Sequence, residues 1–198
     1  MKPIVEVEGC RAAHRQLAEA LGVVTDQVAT GPSLMPGWNV AHVLSHLANN
    51  AEAMIRRIEA AQHDQLIEQY PGGVEGRANE IDAYSKQPAA TLVSRVITTA
   101  NQLDSLFETL ADDDWRLPVR SVAGQEHPLG LLPFRRWREV EVHHADLDIG
   151  FTPEDWSPEL IDRALPRLLD GLDARTDRNS LAAWMLGRAG PPTLDPWA

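Results

Sequence analysis

The chain of 198 residues, 43% of them hydrophobic, is long enough to bury a real core, and its single cysteine excludes an intramolecular disulfide or a thiolate-rich metal site. A formal net charge of -11 excludes the basic surface that nucleic-acid phosphates require. No apolar run reaches membrane-span length, and Glu6 and Glu8 interrupt the first apolar residues, so no secretory core forms and a soluble cytoplasmic protein is expected.

Ile4, Val7, Cys10, Ala13, Leu17, Leu21 and Val24 recur at helical spacing and predict a first amphipathic helix ending near Gly22. Cys10 lies on its apolar stripe, the position of a small core residue rather than a nucleophile. Residues 30–38 are dense in Gly and Pro and read as a loop, after which Asn39 suits the N-cap of a long helix to about Gln62. A second breaker-rich loop covers 70–76, followed by a short helix from Arg77 to Ser85. Thr91 is expected to cap a third long helix, whose apolar set from Val93 to Leu110 has the cleanest 3.6-residue period in the chain. Residues 115–130 read as irregular, with 117–119 and 121–123 as short extended pieces. A fourth long helix runs from Leu131 to about Ile149, with Pro133 in its first turn. Beyond a turn-rich connector, 158–173 reads as a helix with Leu160, Ile161, Leu165, Leu168 and Leu169 inward and Pro166 as an awkward guest. A short apolar helix over 181–187 and an irregular tail over 190–197 complete the chain. Together these predict an all-α four-helix bundle over 1–150, with a short, mostly helical C-terminal extension over 151–198.

On the fourth helix Glu139 and His143 are four residues apart, one above the other on one face, and both can reach one metal ion. Two ligands do not make a tight site. A facing helix offers a third in His46, within Pro36-Gly37-Trp38-Asn39-Val40-Ala41-His42-Val43-Leu44-Ser45-His46-Leu47. Three protein ligands leave a coordination position open, as catalytic sites do. His42, one turn from His46, is the residue that would close it. His144 and Glu141 point elsewhere around the helix, at 100° per residue. Asp146, three residues after His143, is placed either to orient that imidazole or to pair with an arginine. Trp38 reads as a plug at the helix start, Trp137 as packing, and Asn50, one turn beyond His46, as a pocket polar group or an exposed amide.

The segments Pro36-Gly37-Trp38-x-x-x-His42-x-x-x-His46-Leu47 and Arg138-Glu139-Val140-x-x-His143-x-x-Asp146-Leu147 resemble the mycothiol-dependent maleylpyruvate isomerase family, within the DinB/YfiT-like group of metal-binding four-helix bundles. Trp184-Met185-Leu186-Gly187-Arg188 also resembles a motif near that family's C-terminus. The resemblance implies a divalent metal, zinc by preference, on His46, Glu139 and His143, and mycothiol as thiol cosubstrate. It implies a catalytic arginine, for which Arg77 and Arg188 are both candidates, and allows Asn50 a cofactor-binding role. The expected activity is cis–trans isomerisation of the maleylpyruvate-to-fumarylpyruvate type by a metal-activated thiolate. A thiol S-transferase and a non-catalytic metal-binding module remain open alternatives. Partners are expected to be a small-molecule substrate and a low-molecular-weight thiol, with no nucleic acid or membrane, and the protein a monomer or homodimer. The family's isomerases usually continue into a second α/β domain, whereas about fifty residues follow the bundle here.

Overall fold

The computed structural model describes residues 1–195. The chain divides into two compact units, Met1–Trp156 and Ser157–Ala198. In the first, the helices are α1 (Ile4–Ala20), α2 (Asp26–Thr30), α3 (Val40–Gln62), α4 (Gly73–Tyr84), α5 (Ala89–Thr109) and α6 (Leu132–Asp146). The four long ones form the bundle. α1 packs on α6, α6 on α3, α3 on α5 and α5 on α1, so the first two long helices in the chain stand on a diagonal. This is the crossover form of the four-helix bundle. Its core is the apolar stripe of each helix, with Leu17, Leu44, Leu47, Ile58, Leu103, Phe107 and Val140 all buried. Each such side chain contributes about 1.5–3 kcal/mol by leaving water. No helix among the described residues is long and apolar enough to cross a membrane.

Local chemistry explains most of the boundaries. Asn39 caps α3 as expected, its Oδ1 accepting from the His42 amide at 3.0 Å. The start of α5 differs from expectation. It begins at Ala89, two residues before Thr91, because the Asp26 carboxylate accepts from the Ala89 amide at 2.7 Å and serves as a cap from elsewhere in the chain. The Gly-rich run before Arg77 is likewise partly helical, with α4 starting at Gly73.

The two extended pieces also fall differently. An antiparallel hairpin pairs β1 (Pro118–Arg120) with β2 (Glu126–Pro128), Val119 opposite His127. Residues 121–123, expected to be extended, form its turn. The Ser121 amide donates to Gln125 O and the Gly124 amide to Ser121 O, with Gly124 at φ 80°, a left-handed conformation that suits glycine.

The second unit carries α7 (Pro158–Asp170) and α8 (Arg178–Met185). Pro166 is accommodated inside α7. Leu160 is buried as expected, but Leu165, Leu168 and Leu169 are exposed, at 47%, 38% and 57%. A unit this small cannot enclose both sides of an apolar stripe. α8 starts three residues before Leu181 because Asp177 caps it, its Oδ2 accepting from the Ser180 amide at 2.8 Å. The described part of the tail is irregular, as expected, and residues 196–197 lie outside the described residues.

Candidate metal centre

The Asn39 cap sets where α3 begins, and helical phase then puts His46 on the side of α3 that packs against α6. His46 is 2% exposed and His143 6%. The Nε2 of His46 lies 3.0 Å from Glu139 Oε2, and the Nε2 of His143 lies 3.6 Å from the same oxygen. All three donor atoms lie within 4.8 Å of one another. Zinc bonds of about 2.0–2.2 Å at tetrahedral angles separate neighbouring donors by roughly 3.3 Å, so this set fits a small divalent ion.

The surroundings prepare each donor. Asp146 Oδ2 accepts from His143 Nδ1 at 2.7 Å, which turns the other ring nitrogen toward Glu139. Burial works to lower the pKa of His143, but the hydrogen bonds to Asp146 and Glu139 outweigh it and raise the value to about 8. For His46 burial dominates and lowers it to about 4, despite the Glu139 hydrogen bond. Burial opposes ionisation of Glu139, yet the two histidines hold its carboxyl well below the usual range.

Arg77, half-buried on α4, donates from Nη2 to His46 Nδ1 at 3.1 Å. Its guanidinium carbon stands 5.9 Å from the Trp38 ring centroid and 5.8 Å from that of Tyr70, within cation–π range of both. Trp38 therefore walls the site as well as packing at the helix start, with its ring centroid 5.7 Å from that of His46. Sequence reasoning missed Tyr70, which sits in a loop where no period marks an inward position.

His42 does not join the three donors. Its Nδ1 meets Asn39 Oδ1, and its Nε2 lies 3.4 Å from Ser85 Oγ. His144 stacks on Phe151 at 4.0 Å between ring centroids, and Glu141 accepts from the Trp137 indole. Asn50 faces the bundle interior rather than an open pocket. It is 4% exposed, and its Oδ1 accepts from Arg136 Nη1 at 3.0 Å. Arg188 lies in the second unit with an exposed side chain.

Cys10, His14 and Asp104 form a second group of metal-ligating residue types. It is the poorer place for a cation, because Arg136, which donates from Nε to His14 Nε2 at 3.0 Å, is fully buried and keeps its positive charge beside the group, whereas Arg77 beside His46 is only half-buried. Burial pushes the Cys10 thiol upward and leaves it inert, as its place on the stripe suggested. The signal for Arg136 was present in the sequence: it precedes Glu139 by three and His143 by seven, on the same helix face.

Comparison with known proteins bears on the family and the fold. The family model described as mycothiol maleylpyruvate isomerase N-terminal domain matches residues 10–148. A crystal structure of a mycothiol-dependent maleylpyruvate isomerase superposes with a TM-score of 0.77 at 25% identity, covering 83% of this chain and 68% of that one. A histidine-to-alanine variant of that isomerase gives the same figures. YfiT from Bacillus subtilis, described as a probable metal-dependent hydrolase with an unusual four-helix bundle topology, shares the fold at a TM-score of 0.57 and 19% identity, over 80% of this chain and 85% of that one. No curated protein sequence gives a match. With the match running through all four bundle helices, the chain belongs to the mycothiol maleylpyruvate isomerase family by its N-terminal domain.

Proposed function

We propose that the protein is a metal-dependent, thiol-using isomerase of the maleylpyruvate type, holding a divalent ion, zinc by its donor set, on His46 Nε2, Glu139 and His143 Nε2. The observation that supports this most is the convergence of both imidazoles on one Glu139 oxygen, with Asp146 behind His143. A bound ion with an open position would lower the pKa of a thiol and make thiolate available at neutral pH. The thiol is a cosubstrate, mycothiol by family, and Cys10 takes no part. In this class of reaction the thiol sulfur forms a bond to one alkene carbon, the substrate rotates about the resulting single bond, and the carbon–sulfur bond then breaks. The thiol is returned and no redox change occurs.

The side chains have separate tasks. Asp146 fixes the His143 tautomer, so that Nε2 presents a lone pair. Arg77, held between Trp38 and Tyr70, is the group for a substrate carboxylate or developing enolate. Once Nε2 of His46 is a ligand, its ring proton resides on Nδ1, and Arg77 loses that acceptor. Its fork is then available to an anionic substrate. Arg188 is the other arginine implied by the family resemblance, and the same assay tests it.

The deciding experiment measures metal content, then titrates mycothiol into the loaded protein by calorimetry and assays maleylpyruvate isomerisation. Stoichiometric metal, thiol binding to the loaded form alone, and thiol recovered unchanged after turnover are expected. A stable thiol adduct would indicate the S-transferase. Metal without thiol binding would leave a non-catalytic module, and absence of metal binding would overturn the site. Arg77→Met and Arg188→Met are to be compared in the same assay. Loss of kcat of about 100-fold or more in one of them identifies the arginine at the reacting group.

A further inference from the structure

Arg136 is the largest fully buried side chain among the described residues, and its guanidinium bonds directly to two of the other three long helices of the bundle. From α6 its Nε donates to His14 Nε2 on α1 at 3.0 Å. Nη1 donates to the Leu47 carbonyl at 2.8 Å and to Asn50 Oδ1 at 3.0 Å, both on α3. His14 in turn donates from Nδ1 to Asp104 Oδ1 at 2.9 Å, on α5. The tautomer is consistent along the whole line, since a neutral His14 with its proton on Nδ1 presents a lone pair at Nε2. One buried polar chain therefore ties α5 to α1, α1 to α6 and α6 to α3.

Its placement matters. Arg136 stands one turn before Glu139 on α6, and Leu47 follows His46 on α3. The two helices that carry the three proposed ligands are joined by two hydrogen bonds about a turn from His46 and Glu139. A packing role alone does not explain the choice of residue. Nη2 is buried without a hydrogen-bond partner among the described residues, and replacing a buried polar network as a whole by well-packed apolar side chains is often neutral or stabilising. Geometry is what the planar fork supplies and an apolar residue does not.

We infer that Arg136 is a positioning residue for the metal centre, which through the Leu47 carbonyl, Asn50 and the His14–Asp104 pair sets the register of α3 against α6 and so the separation of His46 from Glu139 and His143. The inference rests on the metal reading above and assigns no contact between Arg136 and substrate or ion.

The test uses cobalt(II) as the probe, on the full chain, with affinity measured by competition against a chromophoric chelator and geometry by visible d–d absorption. Two variants keep the net charge. Arg136→Lys replaces the fork with a single ammonium that cannot serve His14, Leu47 and Asn50 together. Asn50→Leu leaves the guanidinium in place and removes one acceptor. Arg95→Lys is the control, because Arg95 forks onto Glu52 between α5 and α3 without touching a residue beside a proposed ligand.

Measured well below each melting temperature, Arg136→Lys is expected to weaken cobalt binding at least tenfold and Asn50→Leu several-fold, both with altered d–d intensity. Arg95→Lys should melt earlier and keep the original affinity and spectrum. If Arg136→Lys does not fold, Asn50→Leu carries the test. Affinity and spectrum unchanged in the folded relay variants would overturn the inference while leaving the metal reading intact. No cobalt binding by the unaltered protein would overturn both.

Discussion

Two histidines share one carboxylate in this protein and are driven in opposite directions. For His143 the folded pKa, about 8, lies above the ordinary value near 6.5, so its charged form is favoured by the fold. Its contribution to the stability of the metal-free protein is fully present below about pH 6.5 and is lost as pH rises through about 8. His46, lowered to about 4, has the opposite sign. The fold favours its neutral form, and that contribution is lost as pH falls from about 6.5 toward 4. Metal binding requires both rings to be unprotonated at Nε2, and only His143 has a proton to lose between pH 5 and 8. Metal affinity is therefore expected to fall about tenfold per pH unit below about pH 8, with one proton released per ion. Calorimetry in buffers of different ionisation enthalpy measures this number, and two protons released at pH 5.5 would contradict the environment assigned to His46.

At the scale of elements, the contact between α1 and α6 makes a prediction whose sign opposes helix propensity. A Cβ on Gly9 would stand 2.5 Å from three atoms of the Trp137 ring. That ring is tethered through its indole N–H to Glu141, so it cannot turn aside without losing the bond. Alanine is favoured over glycine in a helix by about 1 kcal/mol, yet Gly9→Ala is expected to destabilise by about 1–3 kcal/mol, the cost of overpacking. Gly22→Ala, with open space around its Cβ, is the comparison in the same urea titration. Equal stability of the two variants would mean that α1 and α6 are not in this register. The elements also mark where sequence reasoning ends. The Asn39 cap, the stripe of α3 and the Glu139/His143 spacing depend on neighbours within a few residues and could be read directly. The start of α5 could not, because its cap is Asp26, which is 63 residues away from Ala89. Nor could the seat of Arg77 between Trp38 and Tyr70, which loops bring together, or the Arg136 relay, whose acceptors lie on other helices.

For the molecule as a whole, the proposed ligands divide between α3 and α6, which are neighbours around the bundle but separated in the chain by α4, α5 and the hairpin. Unfolding pulls those helices apart and dissolves the site, so an ion that binds only the folded form stabilises it by mass action. At free metal a hundredfold above Kd the gain is about 2.7 kcal/mol. A chain of this length gains roughly 2–4 °C in Tm per kcal/mol, so a rise of about 5–10 °C is expected on loading. His46→Ala removes the α3 donor and leaves Glu139 and His143, which belong to a single helix and cannot link it to another. That variant should retain its helix content by circular dichroism and lose most of the metal-dependent rise. Its own baseline falls through the cavity left at a buried position, so the decisive quantity is the difference between loaded and metal-free Tm within each protein. An undiminished difference in His46→Ala would mean that the ion stabilises the bundle without joining α3 to α6, and the three-residue site would have to be abandoned.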